Sequence, residues 1–277
     1  MMSYTVTKAA SFPLVWYLRH SPVQRGKTWL LRVASSFLCV RIRRSLWLRV
    51  SGVSGVEFEC LKRTCKEGAT VALIESRLRS GMVVFDVGAN VGYVTLVAAR
   101  CVGPAGRVVA FEPTPAVRGR LLENISLNGL RNVSVESVAL SDRNGEATFY
   151  INNAPEESEG NSLMVGALSD NPKTVIVVTR TLDQQVASMD LRHVDLLKLD
   201  VEGSELRVLR GGAQILSRDD APDLVLEVNP LTLRAASTSP EEVYALLVDL
   251  GYTWDIIEEM PWRGVVACNI HAHKGKR

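Results

Sequence analysis

A chain of 277 residues with 47% hydrophobic and 22% charged side chains has the length and balance of one large globular domain or two small ones. Disorder, collagen-like repeats and a coiled coil are excluded as descriptions of the whole. The formal charge of +2 is unevenly spread: Lys8, Arg19, Arg25, Lys27, Arg32, Arg41, Arg43, Arg44 and Arg49 fall in residues 1–55, which hold no Asp or Glu, so a basic leader precedes a weakly acidic body.

Within the leader, the apolar run at 12–18 is followed by Arg19 and His20 without a small-residue cleavage site, which argues against a signal peptide. The run at 33–40 is far short of the ~20 residues that span a bilayer. Residues 1–65 are expected to form a basic helical extension, with its arginines solvated, packed on a body that starts at residue 66. Trp29, Phe37 and Trp47 among the arginines leave open peripheral contact with anionic lipid through residues 1–55. Five scattered cysteines without a CxxC pair read as reduced thiols of a cytoplasmic protein.

From about residue 70, short apolar runs alternate with amphipathic segments: 82–87, 107–111, 133–138, 194–199 and 224–228 read as strands of a parallel sheet covered on both faces. The first run ends in Phe85-Asp-Val-Gly-Ala-Asn-Val-Gly92. Gly88 allows a tight turn, and the helix that follows offers free N–H groups to a ligand. Position 90 is Asn and position 93 is Tyr, so the dinucleotide GxGxxG pattern fails. Asp86 would repel a pyrophosphate but suits a ligand with an ammonium and a sulfonium, as in S-adenosylmethionine. Gly88, Ala89, Asn90, Gly92 and Tyr93 form the expected cofactor loop.

The second run leads to Glu112 and Pro113, where a carboxylate can accept both hydroxyls of a ribose. After the third, Ser141 and Asp142 are placed to meet the adenine edge. The alternative for Glu112 and Asp142 is that they only cap the turns that follow. Residues 145–180 are read as an insertion, in which 147–151 and 175–179 are strands around the polar stretch 152–171. The fourth run carries Lys198, which needs a buried partner; Glu227 and Asp200 are the candidates. Asp200 and Glu202 then emerge at the C-terminal edge of the sheet, where open α/β sheets bind ligands. Gly203 and Ser204 suggest a turn and a helix N-cap. Ser239-Pro-Glu-Glu starts a further helix, and 252–257 with 265–272 form an antiparallel pair at the sheet edge. His271 and His273 alternate and would share a strand face, though four histidines in all make a His-rich metal site a poor expectation.

Taken together, FDVGANVGYVTL (85–96), FEPTP (111–115), ALSD (139–142), TLD (181–183), LLKLDVEGSE (196–205) and Glu227 resemble the FkbM family of S-adenosylmethionine-dependent methyltransferases over residues 70–272. Asn124, Asn128 and Asn161-Ser-Leu163 also fit its pattern. The resemblance implies a class I methyltransferase fold, Rossmann-like and doubly wound, with seven strands of which the last is antiparallel. It also implies O-methylation of a sugar, glycolipid or natural-product hydroxyl. An alcohol attacks well only if its proton is accepted as the bond forms, and Glu202 is the first expectation for that base, Asp200 the second, with Glu227 in support and Asp200 also near the cofactor. Asn161, Ser162 and His271 are expected to line the acceptor pocket, and no metal is specified. A nucleic-acid methyltransferase is the nearest rival because of the leader, but the fourth strand lacks the Pro-Pro-aromatic ending of amino-group methylation and no Pro-Cys pair is present. A cofactor-binding module that docks a membrane or partner protein is the non-enzymatic alternative.

Overall fold

The computed structural model describes residues 39–41, 46–49, 68–151, 163, 173–262 and 264–275. Its centre is a mixed sheet of seven strands: β3 (Val83–Val87), β4 (Arg107–Phe111), β5 (Val133–Glu136), β9 (Leu196–Leu199), β10 (Asp223–Val228), β11 (Thr253–Trp262) and β12 (Val265–His273). Their spatial order is β11-β12-β10-β9-β3-β4-β5. The first five in sequence run parallel, and β12 runs antiparallel between β10 and β11. The chain therefore starts in the middle of the sheet, moves out to β5, returns to β9 and continues the other way. Such a reversal of strand order opens a crevice above the C-terminal ends of β3 and β9.

The central strands have apolar residues on both faces because helices cover both. On one face, Val84, Val108, Ala110, Leu196 and Val225 join a cluster with α1 (Gly68–Arg77), α2 (Tyr93–Val102) and α3 (Pro115–Leu127). On the other, Phe85, Val87, Val109, Leu197, Leu199 and Leu226 pack with α4 (Leu182–Ser188), α5 (Glu205–Gly211), α6 (Ala213–Leu216), α7 (Pro230–Ala235) and α8 (Pro240–Asp249). Helix α8 begins as its sequence requires: the Ser239 hydroxyl accepts from Glu242 N, and Glu242 Oε2 accepts from Ser239 N. The TLD stretch pins α6, since Asp183 accepts the N–H groups of Gln214 and Ile215 while Thr181 caps α4.

The third expected strand, 133–138, ends early at Glu136. After β5, the chain leaves the main sheet and β6 (Ala139–Leu140) pairs with β8 (Lys173–Arg180), which also pairs with β7 (Gly145–Ile151). The described ends of the expected insertion, β7 and β8, thus join β6 in a small three-stranded sheet. Asn161 and Ser162 lie outside the described residues.

Where a helical leader was expected, the described residues are strands. The segments β1 (Cys39–Arg41) and β2 (Trp47–Arg49) pair antiparallel. Two features favour this: Leu46 and Leu48 alternate into the α1–α3 cluster at 2% and 0% exposure, and Asn128 acts as a substitute strand mate. Its Oδ1 accepts from Trp47 N and its Nδ2 donates to Trp47 O, both at 2.7 Å. The rest of the leader lies outside the described residues. No helix among the described residues is long and apolar enough to cross a membrane.

Candidate active site

The loop after β3 lies against the end of β9. Gly88 has φ +76°, and a Cβ there would stand 1.9 Å from the Asp200 carbonyl oxygen, so only glycine lets the two strand ends approach this closely. Gly88 and Ala89 donate their N–H groups to Phe111 O, and Asp200 donates to Val87 O. Asn90 and Glu202, in the loops after β3 and β9, also have positive φ (50° and 52°), which is uncommon for residues other than glycine and concentrates at functional sites. Gly92 serves packing: a Cβ would meet Leu121 Cδ1 at 2.4 Å, so its absence brings α2 and α3 together. Ala89 and Tyr93 are buried in the same cluster, which leaves mainly their backbone to a ligand.

Asp86 is fully buried and directly opposite Lys198 in the β3–β9 register, on the face covered by α2. One carboxylate oxygen accepts from the Thr95 hydroxyl of α2, and the other lies 3.4 Å from Lys198 Nζ. Lys198 Nζ is also 3.3 Å from Asp200 and donates to the Gly88 carbonyl at 3.1 Å. Asp86 therefore braces the loop from beneath. Of the two partners expected for Lys198, Asp200 is in place, and Asp86 joins it.

Glu112, at the end of β4, accepts from Asn90 N through Oε2 (3.1 Å) and from Thr114 N through Oε1 (2.8 Å). It is buried, and that desolvation raises its pKa despite the backbone hydrogen bonds and the nearby Arg118. Each carboxylate oxygen keeps a lone pair, so Glu112 both braces the loop and can accept two hydroxyls. Ser141 is buried and its hydroxyl donates to the exposed Asp142 at 3.1 Å. Pro113, next to Glu112 in the chain, is half-buried.

Four carboxylates gather where β9 and β10 end. Glu227 carries a pKa raised well above the usual carboxylate range, through desolvation first and then the charges of Asp200, Glu202 and Glu205. Asn229 Nδ2 donates to Glu227 Oε1 at 3.2 Å, and Asn229 Oδ1 caps α7 through Leu231 N. Glu205, the first residue of α5, is buried and its pKa is pushed up to about 7 by desolvation. Its Oε1 accepts from Val201 N and Gly203 N, while Oε2 is buried with no hydrogen-bond partner among the described residues. The expected cap at Ser204 makes no side-chain hydrogen bond; Glu205 ties the turn instead. Glu205 and Asn229 had no role assigned from sequence. An acid at the first helical position and an Asn-Pro pair were the available signals.

His271 is not in this site. Because β12 runs antiparallel to β10, Cys268 at its start lies level with the end of β10, and His271 is opposite Val225. The His271 ring pairs with Asp223, at the other end of β10.

The residues present fit an adenosyl cofactor: a glycine cradle at the helix start, a buried Asn90 Oδ1 without a partner among the described residues, and a buried carboxylate with lone pairs to spare. The strand order, the loop and the acid at the end of the second strand define an S-adenosylmethionine-dependent methyltransferase of the class I architecture. The model of the methyltransferase FkbM domain matches residues 86–253, more than half of the chain, and the chain belongs to that family. It is 30% identical over 228 residues to the AMB antimetabolite synthetase AmbE of Pseudomonas aeruginosa, a match covering 69% of this chain and 10% of that one. It is 27% identical over 206 residues to the 2-O-methyltransferase NoeI of Sinorhizobium fredii, covering 66% of this chain and 76% of that one. With the 31-O-demethyl-FK506 methyltransferase FkbM of Streptomyces tacrolimicus, the identity is 31% over 159 residues, covering 48% and 60%. The chain thus spans a small part of AmbE and under two thirds of the Streptomyces relative.

Proposed function

We infer that this protein methylates a hydroxyl oxygen of a small molecule, a sugar, glycolipid or natural product, and that Glu227 accepts the hydroxyl proton. The carboxylate cluster carries this reading. When bound, S-adenosylmethionine supplies an electrophilic methyl on a sulfonium. The Gly88–Tyr93 loop and Glu112 hold the adenosyl group, with Ser141 and Asp142 towards its base. Asp200 is drawn to Lys198, and that pair holds the loop. Glu227 is half-buried beside three other carboxylates, and the resulting high pKa makes it a stronger base than an ordinary glutamate. The base is thus proposed at Glu227, with Glu202 beside it, in place of the order expected from sequence. As the acceptor oxygen takes the methyl in exchange for its proton, that proton would pass to the Glu227 carboxylate. The names of NoeI and the Streptomyces relative support an oxygen acceptor.

The test is methyl transfer to a panel of glycosides and polyketide alcohols across pH 6–10. Because Glu227 holds a proton below its raised pKa, kcat/KM should rise about tenfold per pH unit and then level off. Glu227→Gln should lose that limb and about 10²–10⁴-fold in rate while still binding S-adenosylmethionine. A variant that keeps both rate and pH profile removes Glu227 from the mechanism.

A further inference from the structure

At the opposite edge of the sheet, His271 and His273 alternate on β12, so both rings fall on one face. Asp255 of β11 is the direct cross-strand partner of His271 and shares that face. The donor atoms of Asp255, His271 and His273 all lie within 4.8 Å of one another. The two rings stack with centroids 5.0 Å apart. Asp223, at the start of β10, lies 3.1 Å from His271 Nε2, and Asp255 lies 3.4 Å from His273 Nε2. Exposure is graded: His271 is 2% exposed, and the side chains of His273 and Asp255 are 31% and 78% exposed. The group is anchored on its inner side and open to solvent on the other.

Two imidazoles and a carboxylate on adjacent strands of one rigid hairpin are a donor set for a borderline metal ion, since imidazole selects against magnesium and calcium. Tetrahedral zinc with bonds near 2.0–2.1 Å needs donors about 3.4 Å apart, so binding requires the exposed Asp255 and half-buried His273 side chains to close in from their present spacing. Asp223 provides the carboxylate partner that metal-bound imidazoles commonly carry. Its other neighbour is the Arg77 guanidinium at 3.8 Å, and the Lys274 ammonium is directed to the Arg218 carbonyl. The geometry points to a three-ligand site for a divalent transition-metal ion, zinc being the type, with His271, His273 and Asp255 as ligands, solvent in the fourth position and Asp223 holding the inner ring. From Asp223 to Val228 is five strand steps, about 16 Å, so the ion would clasp β11 and β12 to β10 far from the methyl-transfer edge.

The test is titration of the full chain with Co²⁺ at neutral pH, followed by visible absorption, beside melting curves with and without Zn²⁺. One equivalent should give d–d bands without the intense near-ultraviolet band of a cobalt–thiolate. His273→Ala and Asp255→Ala, both at partly or fully exposed positions, should each weaken binding at least tenfold. Zinc should raise the melting temperature of the parent and not of the variants. S-adenosylmethionine affinity should be the same in all three, which separates this site from the methyl-transfer reading. Absence of stoichiometric uptake, a thiolate band, or equal uptake by parent and both variants would overturn the proposal.

Discussion

Glu205 offers a direct measure of what the carboxylate cluster does to the fold. Its carboxyl is buried at the start of α5, and burial moves its pKa from the usual 4.5 to about 7. In the unfolded chain it ionises at the ordinary value. Between the two, the folded state binds more protons, so the contribution is present below about pH 4.5 and is lost as pH rises through about 7. At about 1.4 kcal/mol for each pH unit, the loss is about 3 kcal/mol. Glu205→Gln keeps an oxygen for the Val201 and Gly203 N–H groups but cannot ionise. Its new amide replaces an oxygen that has no hydrogen-bond partner among the described residues, at a pH-independent cost of about 1–3 kcal/mol. Urea unfolding of both proteins from pH 5 to 9 isolates the effect. The stability of the parent relative to the variant should fall by about 3 kcal/mol over that range. A difference that stays flat to within about 1 kcal/mol would refute the assignment of a burial-raised carboxyl at this position.

Other outcomes follow from the loop and the leader. Gly88→Ala forces a Cβ to within 1.9 Å of the Asp200 carbonyl at a positive φ, so S-adenosylmethionine affinity should fall at least tenfold and the melting temperature should drop, as read by calorimetry. Glu112→Ala removes the acceptor from Asn90 N and Thr114 N and the proposed ribose contact; binding of both S-adenosylmethionine and S-adenosylhomocysteine should be lost, whereas NAD should bind neither form. Asn128→Ala deletes both hydrogen bonds to the Trp47 backbone and should cost about 1–3 kcal/mol in urea unfolding with cofactor affinity unchanged.

The parallel sheet and its cofactor loop were readable because buried central strands have no polar face and must be written as apolar runs that stop at glycine or acid. Residues 82–87 and 107–111 are recovered as β3 and β4 almost to the residue. The pairing of Asp86 with Lys198 was hidden for a topological reason. Lys198 lies more than a hundred positions away, and only the placement of β9 beside β3 puts the two in register. The acceptor role expected for His271 failed because an antiparallel last strand brings its beginning, not its end, to the site. The strands of the leader carried little local signal beyond the alternation of Leu46 and Leu48, since what holds Trp47 is a side chain on another element. Glu205 lay in plain view within the LLKLDVEGSE stretch. Its burial depends on how the following helix packs, which spacing alone does not report.

The Asn128 clasp bears on where this protein can be cut. The family match begins at residue 86, and a recombinant fragment begun at the body would discard Leu46 and Leu48. Each of those leucines seals apolar surface around Leu121 and Ile125, worth about 2 kcal/mol apiece when buried. Such a fragment would display an oily stripe along α3 and leave Asn128 Oδ1 without its Trp47 donor, an invitation to self-association in the test tube. The leader strands share the packing of the body, and expression trials should start upstream of Leu46.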